Sequence, residues 1–291
     1  MSGFFYASQV LLDLVLLNCG FALAQYVVQR AGVFSVATAG VASIGAYAAA
    51  IAVTRAGLPG TAAIAIAGLA GLIVSALLSI PLARLRGAYQ AIATIAFVQI
   101  VMAVMFYAES WTGGSVGIKD IPKLVGSWHL LLAVAVTLYM VHCLDRSGVG
   151  RAFNAIRQDE VVAVTLGISV VKYHIIAFAI SGTIGGFFGG MQALYFYSIE
   201  PAMFGFAMAI AILTYVIFGG QNSVIGPIVG TVILTLVPEI ARPLADSRML
   251  VFGILLVIST IFLPDGFVDS LGSLLRRRRT ARREAAKEGA N

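Results

Sequence analysis

The chain has 291 residues, 60% of them hydrophobic and only 11% charged, against about 25% charged in soluble domains, so part of its surface must face lipid. Its formal charge of +6 does not point to nucleic acid, because the basic residues sit in short loops and at the tail beside apolar runs, where they report topology. Cys19 and Cys143 both lie in apolar runs, which excludes a disulfide framework and metal spacing and leaves them as small buried hydrophobes.

A helix of about 20 apolar residues crosses a bilayer core. Roughly nine stretches qualify, near 7–28, 33–53, 60–83, 88–107, 128–144, 173–196, 203–220, 223–241 and 248–264. The first twelve residues lack Lys and Arg, so the charged start of a signal peptide is missing and the first stretch is expected to stay as a span. None alternates in polarity as a spanning strand would. The expected fold class is an all-α integral membrane protein of about nine transmembrane or re-entrant helices. The stretch 203–241 contains Gly219-Gly220-Gln221-Asn222 and then Gly226-Pro227. It reads either as two full spans or as a re-entrant pair of half-helices.

Alternating the spans from an outside N-terminus leaves Arg55, Lys119, Lys123, Arg242 and Arg248 outside and the other fourteen of the nineteen Lys and Arg inside. The positive-inside rule therefore predicts an outside N-terminus and a cytoplasmic C-terminus, with the tail supplying half of the signal. Residues 1–270 form one transmembrane domain with a cytoplasmic loop at 145–172. Residues 271–291 form a basic tail, solvated or lying along anionic headgroups.

Polar groups inside spans are costly in hydrocarbon. Asp13, Asn18 and Gln25 fall in the first stretch, Gln90, Thr94 and Gln99 in the fourth, and Gln192 at the end of the sixth. They read as interhelical glue or, for Asn18, Gln25, Gln90, Thr94, Gln99 and Gln192, as the lining of a translocation path. No span carries an Asp with an Arg near its centre, so the driving energy for any transport is expected to come from elsewhere. His129, His142 and His174 lack metal spacing and read as interfacial or packing residues. No Gly-x-x-x-x-Gly-Lys-Ser/Thr motif is present, so this chain is not expected to bind ATP that way, and no enzyme constellation appears. Gly182, Gly186 and Gly190 share one helix face, which predicts close helix packing or a subunit interface.

The 150–168 segment is the most informative. Apolar positions 152, 153, 156, 163 and 166 fit one amphipathic helix or two short ones, with Gly167 as a stop. Such an element either lies on the membrane or docks in a groove on a partner.

This segment, followed by Tyr173-His174-Ile175-Ile176-Ala177-Phe178-Ala179-Ile180-Ser181-Gly182, resembles the coupling-loop region of branched-chain amino acid ABC permeases of the LivM type. Further pieces match in order: Leu85-Arg86-Gly87-Ala88-Tyr89-Gln90-Ala91-Ile92, Thr112-Gly113-Gly114-Ser115-Val116-Gly117-Ile118, Phe218-Gly219-Gly220-Gln221-Asn222-Ser223-Val224-Ile225-Gly226-Pro227 and Leu263-Pro264-Asp265-Gly266-Phe267. The resemblance implies the permease subunit of an ABC importer in the bacterial inner membrane, moving branched-chain amino acids or similar small solutes by alternating access. It implies a second related permease, two cytoplasmic ATPases that hydrolyse ATP, and a periplasmic solute-binding protein, with no cofactor bound by this chain. On it, Arg151, Arg157, Asp159, Glu160 and Gly167 belong to a coupling helix in an ATPase groove. Glu160, Ala163 and Gly167 match a degenerate Glu-Ala-Ala…Gly signature, from which Val161 and Val162 depart. Gln99 stands where relatives commonly have a carboxylate, and Glu200-Pro201 where they are Ser-rich, so the implied solutes extend to urea, short amides and small carboxylates. The rival readings are a self-sufficient secondary transporter and a membrane interaction protein without transport.

Overall fold

A computed structural model describes residues 2–240 and 266–268. The ninth predicted stretch, 248–264, and the basic tail lie outside the described residues. The chain divides into a unit covering 1–213 and another beginning at Thr214.

The first unit contains α1 (Ser2–Arg30), α2 (Thr38–Thr54), α3 (Gly60–Leu82) and α4 (Ala88–Tyr107). A short α5 (Glu109–Thr112) precedes α6 (Ser127–Arg146). Two short helices, α7 (Gly148–Gln158) and α8 (Glu160–Thr165), lead into α9 (Val170–Tyr195) and the start of α10 (Phe206–Gly219). The second unit holds the end of α10 and α11 (Gly226–Ile240). Among the described residues there is no strand, only an isolated antiparallel bridge between Ile118 and Ile199.

Six described helices are long and apolar enough to cross a membrane: Gln9–Arg30, Gly60–Leu82, Ala88–Tyr107, Ser127–Arg146, Val170–Tyr195 and, with the turn before it, Pro201–Gly219. The protein is a multi-pass membrane protein. Thr38–Thr54 and Gly226–Leu236 are apolar but shorter.

The second stretch is shorter than its hydrophobicity predicts because 33–37 is not helical. Backbone groups in apolar surroundings need partners, and neighbouring side chains supply them here. The Gln25 amide donates to the Ser35 carbonyl. The Val36 amide donates to Thr94 Oγ1 (3.1 Å) and the Ala37 amide to Ser35 Oγ (3.2 Å). Thr38 Oγ1 donates to Gln25 Oε1 at 2.6 Å.

The core is built around α9, which packs against α1, α2 and α3. Two-thirds of the most apolar windows of α1 and α9 are buried, against 22% in α4 and 28% in α6. The outer helices accordingly show aliphatic and aromatic faces, including Leu69 and Leu77 of α3, Ile92 and Ile100 of α4, and Tyr139 of α6. In water these would form a large apolar patch, whereas in a bilayer they face a matching solvent.

With no hydrophobic drive between helices in lipid, association depends on close packing. A methyl on Gly182 would overlap Ser75, one on Gly186 would overlap the Ala67 carbonyl, and one on Gly190 would come within 2.6 Å of Ala67 Cβ. The face carrying these three glycines is therefore in backbone contact with α3. Gly189, one position round, meets the Ala42 carbonyl of α2, and Gly45 meets Gly186.

Polar clasps hold both ends. At one end Arg30, in the last turn of α1, pairs with Asp145, in the last turn of α6, at 2.9 Å. At the other, buried Asp13 of α1 accepts from Ser127 Oγ (2.9 Å) and from the Tyr195 hydroxyl (3.0 Å), joining α1 to α6 and α9. Gln9 Nε2 donates to the same Ser127 Oγ at 3.0 Å. Cys19 is buried as expected, but Cys143 is exposed on α6, whose outer face needs only to be apolar.

In the second unit the end of α10 and the start of α11 meet at glycine: Gly219 approaches the Gly226 carbonyl, and Gly230 the Tyr215 carbonyl. The rings of Phe218 and Phe267 stack with centroids 6.2 Å apart.

Candidate functional site

The most distinctive element is the α7–α8 pair at the Arg30–Asp145 end. Ser147 starts α7: its hydroxyl oxygen accepts from the amides of Val149 (3.1 Å) and Gly150 (3.3 Å), which leaves fewer of the first-turn donors unpaired. Gly150 lies where any side chain would strike the Leu144 and Asp145 carbonyls, so the turn from α6 into α7 is tight. Ala152, Phe153 and Ile156 form the buried face of α7. The Phe153 ring meets Tyr173 of α9 edge to face at 6.3 Å.

The segment is two helices rather than one. Asp159, with φ −158°, leaves helical geometry after Gln158. Its Oδ1 then accepts from the amides of Val161 (2.8 Å) and Val162 (3.1 Å), so the residue that ends α7 caps α8. At the far end the Gly167 amide donates to the Val164 carbonyl and the Ile168 amide to the Ala163 carbonyl, both at 3.0 Å. With Gly167 at φ +79° this is a Schellman stop, which glycine accommodates without strain. Ala163, Ile156 and Val170 pack as one small buried cluster.

The break changes which side chains face outward. Had one helix run through 151–168, Leu166 would have shared the buried face with Ile156 and Ala163. Restarting at Asp159 buries Ala163 and leaves Leu166 71% exposed. Val161, Val162 and Val164 are exposed as well. A six-residue helix and its C-cap residue thus present four aliphatic side chains outward. Their number on so short a helix was the signal available beforehand, but the phase was not.

The other residues predicted for this site brace the element. Glu160 pairs with Arg86, in the α3–α4 connection, at 3.1 Å. Arg151 Nη1 lies 3.5 Å from the Arg146 carbonyl. The Arg157 backbone packs against Gly32, where a Cβ would stand 3.1 Å from Arg157 Cα and where φ is +80°. Replacing Asp159 by Ala removes both cap bonds; the expected loss is about 1 kcal/mol of local stability. Amide exchange within 160–166 should then accelerate about fivefold, leaving α9 unchanged, as hydrogen–deuterium exchange would show.

The polar residues predicted for a path do not line one surface. Gln25 and Thr94 both bond to the 35–38 segment. Thr94 Oγ1 lies 2.9 Å from the Gln90 carbonyl, and Gln90 Nε2 is 3.5 Å from the Leu82 carbonyl. Asn18 is half-buried on α1. Gln192 is also half-buried, and its Oε1 has no hydrogen-bond partner among the described residues. Gln99 is exposed in the middle of α4. His174 is buried in the first turn of α9, and His129 Nδ1 accepts from the Gly126 amide at 3.3 Å. No group of three metal-ligating side chains occurs among the described residues.

The family model described as branched-chain amino acid transport system / permease component matches residues 10–260. The chain belongs to that family. Among its permease relatives, the high-affinity branched-chain amino acid transport system permease protein LivM of Salmonella typhimurium is 30% identical over 276 residues, covering 83% of this chain and 65% of the relative. The protein of the same name from Escherichia coli shows the same identity and coverage. The probable branched-chain amino acid transport permease protein LivM of Methanocaldococcus jannaschii is 24% identical over 239 residues, covering 71% of this chain and 67% of the relative. This chain thus spans about 65% of the length of the first two relatives. No solved structure matches it.

Proposed function

We propose that this chain is the permease subunit of an ABC importer in the bacterial inner membrane. It moves branched-chain amino acids or similar small solutes by alternating access, driven by ATP hydrolysis on separate subunits and binding no cofactor of its own. Its partners are a second related permease, two cytoplasmic ATPases and a periplasmic solute-binding protein. The observation that carries this reading is α8: a short helix, fixed at both ends by caps, presenting Val161, Val162, Val164 and Leu166 outward. Four exposed aliphatics on one short capped element fit a hydrophobic groove on a protein partner. In this reading Asp159 and Gly167 shape the coupling helix, Glu160 tethers it to Arg86, and Arg151 and Arg157 flank it. The excess of Lys and Arg in the predicted inside segments supports a cytoplasmic position for this end.

Force applied to α8 has a short route into the spans. Ala163 packs on Val170 at the start of α9, and α9 packs on α1, α2 and α3. A push on α8 is therefore delivered to the central helix. Gln99, exposed at mid-span, is the one of the predicted path residues placed to meet solute or a second permease. The family relationship and the names of the relatives support the transported class.

The test is copurification of the tagged full chain from native membranes, with mass spectrometry and an ATPase assay. Recovery of two ATPase subunits and a second permease is expected. A chain that purifies alone and transports ion-coupled solute in its own proteoliposomes overturns the reading in favour of a secondary transporter.

A further inference from the structure

A cavity of about 710 Å³ opens between α3 and α6, with α9 as its floor. Thr61 and Ile64 of α3, Leu132 and Val136 of α6 and Phe187 of α9 line it. It begins beside Pro59 and Trp128, at the Asp13 end of the bundle, and its lining ends at Met140, six residues short of the end of α6, and at Thr183, in the middle of α9. Along α6 the twelve-residue separation of Trp128 and Met140 corresponds to about 18 Å at 1.5 Å per residue.

We propose that this groove holds one acyl chain of a phospholipid from the leaflet at the Asp13 end. The length decides the occupant. Half of a hydrocarbon core about 30 Å thick is ~15 Å, which the groove matches. A partner's spanning helix needs a groove through the whole core, and this one stops short of the far side. Most lining residues are apolar, and two of the polar groups are already partnered: Thr183 Oγ1 donates to the Ala179 carbonyl at 2.8 Å, and His129 Nδ1 accepts from the Gly126 amide. At the mouth Trp128 is 71% exposed, the position of an interfacial anchor. Lys123, next to the lining residue Leu124, is exposed at the same end with its ammonium 4.6 Å from the Tyr195 ring centroid, and offers a cation to a headgroup phosphate. The proposal rests on the spans and not on transport, so it stands or falls separately from the importer reading.

Native mass spectrometry of the full chain, purified in mild detergent and incubated with vesicles of palmitoyl-oleoyl-phosphatidylglycerol, is the test. One retained phospholipid per chain is expected. Retention should fall at least tenfold in Val136→Phe, which fills the groove, and persist in Leu69→Phe, on an exposed face of α3 outside it. A second measurement guards against misfolding of Val136→Phe. In Trp111→Phe, Trp128 is the remaining tryptophan, and phosphatidylglycerol brominated on one acyl chain should quench it saturably. No retained lipid, equal retention in Val136→Phe, non-saturable quenching, or a crosslink from Leu132→Cys to another protein overturns the assignment.

Discussion

Placing a charge on the outer face of α8 is expected, on the importer reading, to abolish solute uptake while leaving the chain folded. Val162→Asp and Leu166→Asp each replace an exposed aliphatic that makes no contribution to the buried Ile156–Ala163–Val170 cluster. Each would bury an unpaired carboxylate in any apolar groove that receives the helix, at a cost of several kcal/mol. That is enough to reduce ATPase recovery in copurification by a hundredfold or more, since each 1.4 kcal/mol is tenfold. Uptake should fall with it. Both substitutions change side chains only and keep the backbone groups of the Asp159 cap bonds, the Val162 amide among them, and of the Gly167 stop, so expression and thermal midpoint in detergent should match wild type. Normal ATPase recovery with both variants would remove α8 as the docking element.

The second large effect is expected inside the bundle. Gly186→Leu puts a side chain where even a methyl would overlap the Ala67 carbonyl and stand 3.0 Å from Gly71 Cα. The clash is with backbone, which cannot rotate away as a flexible side chain can. Overpacking typically costs 1–3 kcal/mol, and more when backbones must separate. Here α3 and α9 would both have to move, and Gly45 of α2 packs on the same turn of α9. Little folded protein is expected in size-exclusion chromatography of Gly186→Leu. Leu69→Phe, on the exposed face of α3, should elute as wild type. A well-folded Gly186→Leu protein would show that the three-helix contact is not what holds α9.

These two predictions depend on different sources of information. Hydrophobic length by itself determined that the chain lives in a bilayer as helices, because only helices and closed barrels satisfy backbone groups there and these long apolar runs do not alternate as barrel strands do. The ordered motifs identified the family, and the glycines at four-residue spacing marked a close-packed face. Glu160, Ala163 and Gly167 marked the 150–168 segment as the one resembling a coupling loop without revealing its shape.

Tertiary structure decided the rest. Whether Gly182, Gly186 and Gly190 meet a neighbour in the same chain or another subunit is a matter of which helix lies opposite, and periodicity carries no such information. The second stretch is hydrophobic from 33, yet its helix begins at Thr38. Gln25 and Thr94, distant in sequence, make the non-helical 35–37 backbone tolerable in apolar surroundings. The outward turn of Leu166 depends on Asp159 leaving helical geometry in both φ and ψ, a change at one residue that shifts the phase of every residue after it. Periodicity assumes an unbroken helix; the capping geometry that breaks it forms only where Ala163 finds Ile156 and Val170 to pack against.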